Sequence, residues 1–497
     1  MTQTYEDYQK HMRQIHDLYA AAAVLSWDKE VNLPPKGARF RAQQVATLSG
    51  LAHEQFTQPD FGVKLRALLE QSNGLNDQQR RNLEWSLEDY QKATRLDREF
   101  VVQRSEAVSR GYHAWRQART ENDFSRFEPA LTELVALKKE EAERLGYQDH
   151  PYDALLDQFE PGYTSQQLDT LFSDVKEQLV DFVRTLREKP QVADDFLFQS
   201  YDTDTQWAFS LDTLRNMGYD FAGGRQDISP HPFTISFSPE DVRVTTHANP
   251  QNFATMCWSS IHEGGHALYE QGLPVDQYGL PLGQACSLGI HESQSRLWEN
   301  QVGRSRAYWQ AHYPDLQKRF PEQLGRVSLE AFYRGINKIA PSPIRIESDE
   351  LHYHFHILIR YEIEKGLIEG KVTVKELPDI WHEKYKAYLD LDITDHNQGV
   401  LQDIHWAHGS IGYFPTYSLG SFYAAQFYAH AQRALPNLED HIAQGDNQPL
   451  LQWLRENIHQ HGRYFTADEL CRKVTGESLN FRYFMDYARR KYQDVYE

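Results

Sequence analysis

The chain has 497 residues, with 52 Lys and Arg against 71 Asp and Glu, a formal net charge of −19, 40% apolar and 25% charged side chains. These proportions belong to a folded globular protein, and the acidic balance argues against a nucleic-acid surface built on clustered Lys and Arg. Three cysteines, Cys257, Cys286 and Cys471, cannot form a disulfide framework and point to a reducing compartment. Met1–Lys10 is polar, with no apolar signal-peptide core. Ala20–Trp27 is the nearest approach to a membrane span and falls far short of the roughly 18–20 apolar residues required. The expectation is a cytoplasmic protein without membrane or nucleic-acid partners.

Proline is absent between Pro59 and Pro129, between Pro343 and Pro378, and after Pro449. It costs about 3 kcal/mol inside a helix, so such gaps can hold long helices. Leu83–Arg119 reads as one of them, with a polar and an apolar face. Thr164 and Gln167 form a capping-box pair, and Tyr163 can staple onto Leu168. From Leu168, apolar residues recur at helical spacing through Leu171, Phe172, Val175, Leu179, Phe182, Val183 and Leu186 until Pro190.

Phe233, Ile235 and Phe237 alternate with polar residues, Pro239-Glu240 reads as a turn, and Asp241, Arg243 and Thr245 alternate with Val242 and Val244. Period two predicts a β-hairpin over Phe233–Thr246, with the valines on one face and Asp241, Arg243 and Thr245 on the other. Such a sheet can take an extended peptide as an added strand, or merely pack on helices.

His262-Glu263-Gly264-Gly265-His266 follows in a predicted helix capped by Asn249, with Pro250 in its first turn and Gly272 and Pro274 at its end. Its two histidines lie one turn apart and can grip one metal ion, with Glu263 placed to take a proton from water. Two glycines inside a helix each cost up to about 1 kcal/mol relative to alanine, a cost that close approach of a ligand would explain. A catalytic zinc needs a third protein ligand and an open position. Glu270 lies too far along the helix and reads as support for a ligand. His291–Asn300 reads as a second helix offering His291, Glu292 or Glu299, and spacing does not choose among them.

Asp349–Ile368 reads as a further helix. Its His352 and His356 have metal-like spacing but no accompanying Glu, so His352, His354 and His356 are read as polar-core or cleft-lining groups. No repeat or Gly/Ser linker divides the chain. The expectation is a mainly α protein with one catalytic domain over residues 1–497 and a motif-bearing core at about 230–420.

His231-Pro232-Phe233, Asp241-x-Arg243-x-Thr245, the His262 pentad, His291-Glu292-Ser293-Gln294, Ile344–Asp349 and Gly399–Trp406 occur in an order and spacing that resemble the carboxypeptidase Taq family. The resemblance implies a two-lobed helical zincin with a deep groove and a small sheet near its site, like angiotensin-converting enzyme and neurolysin. It implies zinc, replaceable by cobalt, on His262, His266 and Glu292, with Glu263 as general base and then acid. The implied activity is stepwise removal of C-terminal residues from peptides with a free C-terminus, broad in preference and poor on proline, by a protein that is usually a homodimer.

Peptide hydrolysis also needs donors for the oxyanion. His405, Tyr413 and Tyr417 are candidates, and similarity to helical zincins favours His405 and Tyr413. A carboxypeptidase must hold a free carboxylate, which the planar arginine fork suits. Arg345, at the start of a predicted helix, is the first choice, and Arg243, steadied by Asp241, is the second. His231 either binds substrate backbone or holds the hairpin. The rival readings are a helical zinc oligopeptidase or dipeptidyl carboxypeptidase, and a catalytically silent peptide-binding protein.

Overall fold

Helices account for most of the chain, and the one sheet has three strands. The computed structural model describes residues 4–70 and 74–497. Met1–Gln3, at the start of the polar N-terminus, and Gln71–Asn73, within the first proline gap, lie outside the described residues.

Two compact units emerge from three chain segments each. The first comprises Met1–Ala93, Ala193–Ile336 and Gly420–Asn480. Its Tyr5–Val31 helix starts at a Thr4 capping box and packs on the Ala38–Phe56 helix. Tyr8, Met12, Ile15, Phe61, Leu65 and Leu83 form one of its apolar clusters. The second unit comprises Thr94–Val192, Asn337–Leu419 and Phe481–Glu497. Its Ser165–Arg187 helix carries the predicted Thr164–Gln167 capping box and buries Leu168, Leu171, Phe172, Val175, Leu179, Val183 and Leu186, leaving Phe182 only partly covered.

The predicted hairpin forms as β2 (Thr234–Ser238) and β3 (Asp241–Thr246), antiparallel with an irregularity between Ser236 and Ser238. Val242 and Val244 are buried, as period two requires, and Thr245 is buried as well. A third strand, β1 (Gly224–Ile228), pairs parallel to β3 and gives the order β1-β3-β2. It escaped the sequence reading because Gly-Arg-Gln-Asp-Ile has little strand propensity.

Three helix boundaries differ from expectation. Leu83–Arg119 is two helices, Asp77–Arg95 and Arg98–Glu121, because Asp97 caps the second by accepting from the Phe100 amide at 2.8 Å. The helix bearing the histidine pentad is Phe253–Glu270 and is capped by Asn252, whereas Asn249 closes a turn onto the Gln251 amide. Arg345 begins a single tight turn, Arg345–Glu347, and the following helix is Tyr353–Glu369. Asp349 accepts from the amides of Leu351 and His352 and bonds the His352 ring, so it organises the turn before that helix.

Candidate active site

The Phe253–Glu270 helix packs between the Thr203–Met217 and Leu288–Arg296 helices of the first unit. A Cβ on Gly264 would come within 2.6 Å of Leu214 Cδ2, and one on Gly265 within 2.6 Å of Ser295 Cα. The glycine pair therefore admits neighbouring helices rather than a ligand, which corrects the expectation. This close approach carries Glu292 to the histidines. Its Oε2 lies 3.7 Å from His262 Nε2 and 3.3 Å from His266 Nε2. One ligand atom from each of His262, His266 and Glu292 falls within 4.8 Å of the other two. Gly420 backs Glu292 so closely that a Cβ there would meet Glu292 Cγ at 2.4 Å.

Both imidazoles are held by their Nδ1 atoms. His262 Nδ1 pairs with Glu299 Oε2 at 2.8 Å. His266 Nδ1 pairs with His291 Nδ1 at 2.6 Å, and His291 Nε2 reaches Glu270 Oε1 at 2.8 Å. The three groups offered by the second helix thus take different places: Glu292 faces both Nε2 atoms, while Glu299 and His291 hold the Nδ1 atoms. Glu299 sits in a widened turn, Leu297–Val302, that continues the helix. Arg296 donates to Glu292 Oε1 at 2.7 Å and to Glu299 Oε2 at 2.9 Å, pinning both carboxylates. With Nδ1 and Oε1 engaged, the two Nε2 atoms face Glu292 Oε2, which also accepts from Ser295 Oγ at 3.1 Å. Two imidazole nitrogens and one carboxylate oxygen in this arrangement fit a zinc-type divalent ion.

The electrostatics follow from these neighbours. Burial alone would lower the His262 pKa, but the Glu292 and Glu299 carboxylates outweigh it and raise it. His266 is lowered to about 3 by burial and by the adjacent His291. Burial works against the charged form of Glu292, yet Arg296 and His262 hold its pKa below the ordinary value. Glu299 is lowered to about 2 because Arg296 and His262 overcome its burial.

Glu263 is 7% exposed. Thr234 Oγ1 donates to its Oε2 at 2.7 Å and lies 2.9 Å from its backbone carbonyl, tying β2 to the general-base candidate. Burial raises the Glu263 pKa, while His262 and the Thr234 hydrogen bond oppose the rise. On the same sheet, Arg243 makes a two-point pair with Asp241, both contacts 2.9 Å, and its guanidinium lies between the Trp27 and Phe237 rings. His231 is exposed, and its carbonyl accepts from Ser229 Oγ at 2.6 Å.

A second group assembles within the second unit. Arg345, 7% exposed, donates from Nε and Nη2 to Asp403 Oδ1 at 3.0 and 2.9 Å and from Nη1 to the Tyr353 hydroxyl at 3.0 Å. Arg360 takes the other carboxylate oxygen through Nε at 2.7 Å. His405 Nε2 lies 3.2 Å from the Tyr417 hydroxyl, and the His405 and Tyr413 ring centroids are 5.3 Å apart. Arg345 stacks over the Tyr417 ring at 5.0 Å. Burial, with Arg345 and Arg360 nearby, lowers His405 to about 3 against the pull of Asp403, so the ring is neutral near pH 7. His352, His354 and His356 are buried and paired with Asp349, Ser418 and Tyr385 respectively. Cys257 and Cys286 are buried free thiols.

Residues 7–492 match the family described as Carboxypeptidase Taq (M32) metallopeptidase. The chain belongs to the carboxypeptidase Taq family. It is 39% identical to Thermostable carboxypeptidase 1 of Thermus thermophilus over 99% of both chains, and 37% identical to Carboxypeptidase 1 of Bacillus subtilis over 98% of this chain and 97% of that one. The crystal structure of the M32 carboxypeptidase from Deinococcus radiodurans superposes with a TM-score of 0.97 at 38% identity, covering 99% of both chains. This carboxypeptidase Taq member is a metallocarboxypeptidase, and its mainly helical fold with one small sheet is that of its solved relatives.

Sequence reading missed Thr234, Arg296 and Gly420 in this carboxypeptidase. Thr234 meets Glu263 across 29 positions in sequence, beyond any local pattern. Arg296 was legible in principle: Glu292, Arg296 and Glu299 recur at helical spacing on one face. Gly420 has no sequence signal beyond being a glycine inside a helical pattern.

Proposed function

We propose that this metallocarboxypeptidase uses zinc, replaceable by cobalt, to remove single residues from the free C-terminus of peptides, with broad preference and poor action on C-terminal proline. The observation that carries the reading is the His262–His266–Glu292 donor set with Glu263 beside it in sequence. A divalent ion held there supplies Lewis acidity to the scissile carbonyl and acidifies an attacking water.

In this reading Glu263 accepts the proton of the attacking water through a carboxylate steadied by Thr234, then delivers it to the leaving amine. Neutral His405 and the hydroxyls of Tyr413 and Tyr417 serve as oxyanion donors, as their mutual packing supports. Arg345 and Arg243 recognise the substrate carboxylate. Each is preorganised by an aspartate on one edge of its fork, and an arginine carries five donors, so N–H groups remain for a ligand. His231 contacts substrate backbone. β2, an edge strand bearing Thr234, suits pairing with an extended peptide.

We read residues 1–497 as one catalytic domain, cytoplasmic and homodimeric in keeping with the family resemblance. Its three cysteines are free thiols, and among the described residues no helix is long and apolar enough to cross a membrane. The test is mass analysis of a mixed-sequence peptide and its C-terminal amide, incubated with zinc-loaded protein with and without chelator. A ladder of single-residue losses from the free acid alone, abolished by chelation, is the expected result. Internal or dipeptide cuts in both peptides would overturn it in favour of an oligopeptidase.

A further inference from the structure

The second unit contains a pocket of about 460 Å³ lined by none of the residues given a role above, within the usual range of small-molecule sites. Its lining mixes hydrocarbon from Val101, Val108, Leu134, Leu137 and Phe159 with the polar side chains of Arg104, Ser105, Lys138, Gln158, His408 and Ser410. Lys138 is only 5% exposed, an unusual setting for an ammonium group.

The two cations share one buried carboxylate. Arg104 Nη1 reaches Glu141 Oε1 at 2.7 Å, and Lys138 Nζ reaches Glu141 Oε2 at 2.8 Å. Arg104 and Lys138 are thus two basic side chains to the one Glu141 carboxylate. Burial lowers the Lys138 pKa, with Glu141 opposing the fall and Arg104 adding to it. A lysine ammonium has three N–H donors, and Glu141 is the acceptor found for Lys138 among the described residues.

Gly409, with φ +69°, borders the pocket beside Val108, Leu134 and the methylene stem of Lys138.

We propose that this pocket binds a small amphiphilic monocarboxylate, its head on Lys138 and Arg104 and its hydrocarbon body along Leu134, Leu137 and Phe159. A single negative charge beside Glu141 answers both basic side chains, whereas a phosphate dianion would leave a charge unanswered beside hydrocarbon. The Phe159 ring also packs edge-on against Tyr413 at 5.2 Å, so a seated ligand touches the residue that backs an oxyanion-donor candidate.

The probe is 4-(4-fluorophenyl)butanoate, titrated by fluorine NMR into the zinc-loaded full chain, with its primary amide as control. Saturable binding is expected for the acid, and binding at least tenfold weaker for the amide. Lys138→Met, which removes the cation, and Ser105→Trp, which obstructs the exposed rim, should each weaken binding at least tenfold. Both variants should keep peptide hydrolysis without the probe within about twofold of wild type. No saturable binding, equal binding of the amide, or undiminished affinity in Ser105→Trp would overturn the proposal. The Ser105→Trp result decides even if Lys138→Met fails to fold.

Discussion

The two clusters of proposed functional residues are built with opposite charge logic. Around His262 and His266 stand Glu263, Glu270, Glu292 and Glu299, with Arg296 joining two of the carboxylates. Around Asp403 stand Arg345 and Arg360, with His405 and the tyrosines beyond. The first group has negative charge and imidazole lone pairs to offer a cation. The second has guanidinium and hydroxyl donors to offer an anion. The difference is one of sign, and in the proposed function it gives the first cluster the cation and the second the anionic groups of the substrate.

That contrast can be broken from either side. Glu263→Gln removes the base while leaving the donor set, so kcat should fall on the order of 10²- to 10⁴-fold, with bound zinc unchanged by elemental analysis. Retained turnover would remove Glu263 from the chemistry. On the cationic side, Asp403→Asn leaves two buried guanidinium groups without their shared counter-ion. Breaking a buried pair this way costs about 3–5 kcal/mol, which denaturant unfolding should register.

A pH experiment sharpens the cationic side further. Burial raises Glu364 from 4.5 to about 7, even though it accepts from Tyr152, Trp406 and the Gly412 amide. A carboxyl whose pKa is raised on folding stabilises the fold fully below its unfolded pKa, and that contribution is lost as pH rises through about 7. The stability of the wild type relative to Glu364→Gln should therefore decline by about 3 kcal/mol as pH rises from below 4.5 to above 7. A flat difference would refute the assignment.

The smallest expected effect tests the helix approach behind the metal site. Gly265→Ala places a methyl 2.6 Å from Ser295 Cα, and overpacking of this kind costs about 1–3 kcal/mol. Because the clash moves Glu292 away from the histidines, zinc affinity measured by competition with a chelator should weaken along with the melting temperature. A change in melting temperature alone would separate packing from ligand placement.

What could be read in advance was whatever repeats with a helix or a strand. The closeness of His262 and His266 was legible because residues four apart share one face of a helix, and the β2–β3 pair because alternation exposes its buried face. Whether Glu292, Glu299 or His291 completed the donor set was not legible from spacing. The answer depends on how closely two helices cross, and Gly265 sets that distance through a contact with no local signature. The same glycine was therefore misread as room for a ligand. The break at Asp97 was missed for a related reason: a capping aspartate flanked by good helix formers looks in sequence like one more polar position.

Arg296 has one further consequence. Its guanidinium already binds Glu292 and Glu299, while His291 and Glu299 hold the two imidazoles. Each of His262, His266 and Glu292 thus has a protein partner of its own. On this geometry we expect the metal-free chain to keep its fold, so that loading and exchange of a divalent ion would follow folding rather than drive it.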